Sequence, residues 1–179
     1  MALHFGDRLL LHSAEAGGCV GADGFFGDGC ELRPLADAPD GCLFELLVVS
    51  AAASDADGGG GVQPYELVQL RHVSSGRLLC ASPEASLPDD PSCLAVSVSA
   101  SRAATEWELS RASAGGHGAV QAGELVHLRG AACRLFLGGR GGRVHRASAA
   151  HAWRLICYSP AAPAHALRLG DAVALTVAA

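Results

Sequence analysis

With 179 residues and a formal net charge of −5, the chain can bury one ordinary domain core but is too acidic to grip nucleic acid or anionic lipid over its whole surface. Half of it is apolar, yet only 5% is aromatic, so alanine inflates the apparent core. All thirteen basic residues are arginine, a bias that a GC-rich genome produces without any functional cause.

The first element opens at Leu3-His4-Phe5-Gly6-Asp7-Arg8-Leu9-Leu10-Leu11, and the chain returns to this pattern three more times. The later copies are Val62 to Leu70, Val120 to Leu128 and Leu167 to Leu175. Self-similarity of this kind points to a repeat architecture. Leu9 and Leu11, Val68 and Leu70, and Val126 and Leu128 sit two apart, which places each pair on one face of a strand. The acid before each pair reads as the turn that enters it, so Asp7, Glu66 and Glu124 are assigned to turn chemistry and not to acid–base catalysis.

A second strand follows each opening: Cys19-Val20-Gly21, then Arg77 to Cys80, then Cys133 to Leu137. Small residues and glycine between the two apolar runs argue for hairpins. Each unit closes with a ring two residues from leucine, in Phe44-Glu45-Leu46, Trp107-Glu108-Leu109 and Trp153-Arg154-Leu155. The expected core is therefore Leu9, Leu11, Phe44, Leu46, Val68, Leu70, Trp107, Leu109, Val126, Leu128, Trp153 and Leu155.

Three units thus span residues 3 to 49, 62 to 111 and 120 to 158. Ser50 to Gly61, rich in alanine, glycine and aspartate, can bury little and reads as a mobile loop. Pro160 to Ala164 marks a boundary. An all-β fold is expected, a β-trefoil of three four-stranded repeats with pseudo-threefold symmetry, over residues 1–159. Residues 160–179 are expected to form a linker and the start of a truncated second domain. A β-propeller would need at least four blades, and two-residue periodicity with frequent glycine and proline disfavours helical repeats.

Seven cysteines, odd in number and without a C-x-x-C pair, read as free thiols in a reducing compartment. No run reaches the ~20 apolar residues of a membrane span. Asp7 and Arg8 interrupt the N-terminal apolar run that a secretory signal would need intact. A soluble, cytoplasmic chain is expected.

The run Leu3 to Asp7, with Asp23-Gly24-Phe25, Asp28-Gly29-Cys30, Pro34 and Asp40 to Leu46, resembles the N-terminal domain of inositol 1,4,5-trisphosphate receptors and, less closely, of ryanodine receptors. Val68 to His72, Ser75 to Leu79 and Trp107 resemble the family's middle repeat, and the likeness continues through Trp153-Arg154-Leu155. The resemblance implies a β-trefoil suppressor domain, regulatory and non-catalytic, without a cofactor or a bound metal. It further implies docking on a following ligand-binding core and on neighbouring subunits of a homotetrameric calcium-release channel. The parent protein would lie in the endoplasmic reticulum membrane, while this domain would touch neither membrane nor nucleic acid. Because the family's basic ligand pocket lies further along, residues 1–179 should bind inositol trisphosphate weakly or not at all. Leu167 to Leu175 resembles the first strand of a second trefoil. Two departures stand out: the family's long insertion is replaced by Ser50 to Gly61, and its aromatic contact loop by Ser110-Arg111-Ala112-Ser113-Ala114.

Among chemistry-bearing residues, Arg140, Arg143 and Arg146 form the densest cationic run and are candidates for a phosphate or acidic-partner contact. The competing explanation is a Gly-rich hairpin with solvated arginines. Cys30 and Cys42 match cysteines that the family regards as redox-sensitive, although buried cysteine ordinarily acts as a small hydrophobe. His145, His151, Cys133 and Cys157 fit no standard zinc spacing. No serine or cysteine nucleophile has a recognisable partner set, and Gly58 to Gly61 lacks the lysine of a phosphate loop. The alternative function is a free-standing trefoil of lectin-like or MIR-repeat type that binds carbohydrate or a small ligand.

Overall fold

Residues two apart on an extended chain share a face, and in this protein that face is a closed core. The computed structural model describes residues 1–22, 29–37, 41–49, 61–81, 86–87, 90–101, 104–113, 116–140 and 143–158. The Ser50 to Gly60 stretch and the tail from Pro160, with the fourth copy of the opening pattern, lie outside them, as do Asp23 to Asp28 and Asp40.

The first unit holds β1 (Arg8–Ser13), β2 (Gly18–Ala22), β3 (Cys30–Arg33) and β4 (Phe44–Val48), with a short 3-10 turn at Leu35–Asp37. The second holds β5 (Leu67–His72), β6 (Leu78–Cys80), β7 (Ser86–Leu87), β8 (Asp90–Ala95), β9 (Ser97–Ser99) and β10 (Trp107–Arg111). The third holds β11 (Leu125–Gly130), β12 (Phe136–Arg140), β13 (Arg143–Ala147) and β14 (Trp153–Cys157).

Six strands close a barrel. Antiparallel pairing runs β1 to β4, β4 to β5, β5 to β10, β10 to β11, β11 to β14, and β14 back to β1. Closure removes the unpaired edges that an open sheet would expose. Three further pairs, β2–β3, β6–β9 and β12–β13, branch from it through β1–β2, β5–β6 and β11–β12.

Inside, Phe44, Trp107 and Trp153 begin β4, β10 and β14, and all three are fully buried. They share one core with Leu9, Leu11, Leu46, Val68, Leu70, Leu109, Val126, Leu128 and Leu155. Burying a large apolar side chain contributes roughly 1.5–3 kcal/mol, so this cluster dominates the fold's stability. Ahead of the barrel strands, Leu3, Val62 and Val120 join their backbones in a cycle. Leu3 N–H donates to Val120, Val120 to Val62, and Val62 to Leu3, each at 2.8 Å.

The three acids cap their own turns. The Asp7 carboxylate accepts the His4 N–H at 2.9 Å, Glu66 that of Gln63 at 2.8 Å, and Glu124 that of Gln121 at 2.9 Å. The residue before each acid is left-handed: Gly6 at φ +91°, Gly123 at +82°, and Tyr65 at +66°. A second set of turns links the barrel to the outer pairs, with Gly17, Gly76 and Arg134 left-handed at +81°, +69° and +60°.

Two sequence expectations are corrected here. The strand expected at Cys133 to Leu137 begins only at Phe136, because Arg134 turns left-handed and donates its N–H to Gly130 at 2.8 Å. The second unit carries an additional antiparallel pair, β7–β8, and β8 also pairs with β13. The prolines and acids around β8 hide it from a pattern search, because both are depleted in strands.

Candidate functional site

A groove of about 400 Å³ lies against the outer side of the barrel, lined by Phe5, Gly6, Leu47, Val48, Gln69 and Glu106 among others. Register explains how these residues meet. Leu47 pairs with Gln69, and Val68 pairs with Trp107, so Glu106 stands level with Gln69 one strand further on. Strand alternation turns this row outward while Leu46, Val68 and Trp107 point into the core. Gln69 donates its side-chain N–H to the Thr105 hydroxyl at 3.0 Å, which fixes the amide.

Neighbouring carboxylates on the barrel are already paired. Glu45 meets Arg71, Glu108 meets Arg129 at 3.0 Å, and Glu124 meets Arg111 at 2.6 Å. Glu106 makes no ion pair among the described residues. Sequence reading missed this groove, since the row exists only once three strands distant in sequence have been set in register.

Arg111 also escaped notice. Its guanidinium donates to Glu124 and to the carbonyls of Gly116, Gly118 and Ala119 at 3.0, 2.9 and 2.9 Å. Its side chain is only 8% exposed. The stretch read as an altered contact loop therefore contains a partly buried clasp between β10 and the turn entering β11.

The three candidate arginines do not converge. Arg140 and Arg143 are cross-strand partners at the open end of β12–β13, while Arg146 pairs with Leu137 further along. Arg140 is exposed and Arg146 is 5% exposed. His145 and His151 approach edge to face, with ring centroids 6.2 Å apart. Among the described residues no three His, Cys, Asp or Glu side chains gather as a metal site.

Cys30 and Cys42 are both buried. Burial pushes the Cys30 thiol up to about 12, helped by Cys80, Cys42 and Glu31, and pushes Cys42 up to about 11 despite the opposing pull of Arg33. Thiolate is the reactive form, so both are poor nucleophiles near neutral pH. Cys19 packs with Cys42, Leu10, Leu43 and Ile156 in a second, smaller core.

Neither a family model nor a curated protein matches the sequence. The structure is similar to the crystal structure of the SDF2-like protein from Arabidopsis thaliana, at 13% identity and a TM-score of 0.73. The likeness covers 87% of this chain and 94% of that one. At this identity the likeness speaks to the fold alone, and the fold is β-trefoil-like. No helix among the described residues is long and apolar enough to cross a membrane.

Proposed function

We propose that the chain is a non-catalytic β-trefoil module, three four-stranded repeats about a pseudo-threefold axis, that regulates an intracellular ligand-gated calcium-release channel. In this reading it docks on a following ligand-binding core and on adjacent subunits, on the cytoplasmic side of the endoplasmic reticulum membrane. What carries the reading is the ordered residue resemblance from Leu3 to Leu155, whose units fall in turn around the barrel with Phe44, Trp107 and Trp153 at matching strand starts. The mechanism is differential contact. A docked domain shifts channel opening only if its contacts differ between closed and open states. Calorimetric titration of the 179-residue chain with inositol trisphosphate should show no saturable binding, and micromolar binding would overturn the assignment. Reading the transcript past the Ala179 codon should reveal a second trefoil, a helical solenoid and a six-span pore.

The second reading is a free-standing ligand-binding trefoil, favoured by the likeness to the SDF2-like protein over nearly its whole length. A glycan array separates the two: specific retention of the chain on a defined sugar supports this reading and speaks against the first.

A further inference from the structure

We infer that the outer groove beside Glu106 is a docking site for an arginine carried on an extended, apolar peptide segment. The groove has the volume of a small-ligand site, on the order of 300–1,000 Å³. Phe5, Leu47, Val48 and Val49 supply apolar lining. Val48 is 39% exposed, although its strand partner Val68 is fully buried.

Charge selects the occupant. Glu45, Glu108 and Glu124 each hold an arginine, whereas Glu106 has none among the described residues. Glu106 is partly exposed, so a cation reaching it meets a carboxylate that no arginine of the described residues already occupies. The adjacent Gln69 has committed its side-chain N–H to Thr105, leaving its amide oxygen as an acceptor level with Glu106. Two neighbouring acceptors suit a planar guanidinium, which spreads five donors over a rigid fork; an ammonium is a single compact charge. The chain's own net charge of −5 favours the approach of a basic partner. The occupant is a partner chain's arginine.

This deepens the docking reading above and rests on it, yet the two fail separately. Loss of peptide binding at this groove leaves docking of the whole chain on a ligand-binding core measurable by itself.

The test is an amide-shift titration of the ¹⁵N-labelled 179-residue chain with acetyl-Leu-Val-Arg-Val-Leu-amide. Saturable shifts centred on Leu47, Gln69 and Glu106 are expected. Replacing the peptide arginine by neutral citrulline, or Glu106→Gln in the protein, should weaken binding about tenfold or more, and a lysine peptide should fall between. Glu15→Gln, a change at an exposed carboxylate in the turn between β1 and β2, should leave binding unaltered. Absent or non-saturating shifts would overturn the assignment. So would shifts centred elsewhere, equal binding of the citrulline peptide, or an equal loss in the Glu15 variant. A preserved amide spectrum of the free Glu106→Gln protein separates lost binding from lost folding.

Discussion

The indole N–H of Trp107 donates to the Leu79 carbonyl at 3.0 Å, and that of Trp153 donates to the Leu137 carbonyl at 2.8 Å. Each tryptophan thereby ties the start of a barrel strand to the branch strand of its own unit, β6 for Trp107 and β12 for Trp153. Phe44 fills the corresponding place in the first unit without a polar tip, packing its ring 5.4 Å from that of His72.

Trp107→Phe and Trp153→Phe should each lower stability by about 1–3 kcal/mol, since a buried carbonyl loses its donor. Truncation of either to alanine should cost about 3–5 kcal/mol. Urea unfolding followed by far-UV circular dichroism checks both, and a smaller loss for Trp153→Ala than for an exposed control would refute the equivalence.

Arg111→Ala should destabilise by about 1.5–3 kcal/mol, because it removes the cation from the partly buried Glu124 carboxylate and the side-chain donor from the Gly116 and Gly118 carbonyls. Arg111→Lys should recover little of this, since an ammonium cannot fork among four acceptors. Arg71→Ala breaks a more exposed pair with Glu45 and should cost under ~1 kcal/mol. Thermal midpoints of the three variants rank them.

Tyr65→Gly should hold or raise stability. A non-glycine residue in the left-handed region costs roughly 1–2 kcal/mol, against about 0.5–1 kcal/mol for the extra chain entropy of glycine. Tyr65 is 73% exposed, so little packing is lost. The reverse changes, Gly6→Ala and Gly123→Ala, should destabilise through backbone strain alone, for no atom lies within 4 Å of the added carbon. Denaturant midpoints of the four proteins settle the matter.

The pH profile of stability should be a dome. Burial raises Cys19 and Cys30 to about 12 and Cys42 and Cys157 to about 11, from an ordinary 9.0. Their contribution is fully present below pH 9 and disappears as pH climbs through 11 to 12, because only the unfolded chain ionises easily. Burial lowers His12, with Arg154 assisting, and lowers His127, from an ordinary 6.5. That contribution is present above 6.5 and fades as pH falls below it. Urea midpoints measured from pH 5 to 10.5 test both limbs. Thiol titration at pH 8 should label Cys30 and Cys42 much faster in urea than in buffer.

The all-β reading was legible because strand alternation writes itself directly into residue spacing, as in Val68 and Leu70 or Val126 and Leu128. The turns entering β1, β5 and β11 were legible for a similar reason, since Asp7, Glu66 and Glu124 each stand two residues ahead of an apolar pair. Tyr65 and Arg134 were not legible as left-handed, because only comparison with Gly6 and Gly17 in the folded chain shows what the turns demand. The Arg111 clasp and the Glu106 groove depend on partners in other elements, and no local pattern encodes which carbonyls a guanidinium will find.

The backbone cycle through Leu3, Val62 and Val120 gives the chain no privileged beginning. Since β14 returns to pair with β1, the barrel could be cut open at either of its other two junctions and its original ends spliced. Such a permuted polypeptide would meet the same three hydrogen bonds in rotated order. A molecule of this kind is assembled by long-distance encounters, and although Val62 can meet Leu3 early, synthesis must run past Val120 before the ring can shut.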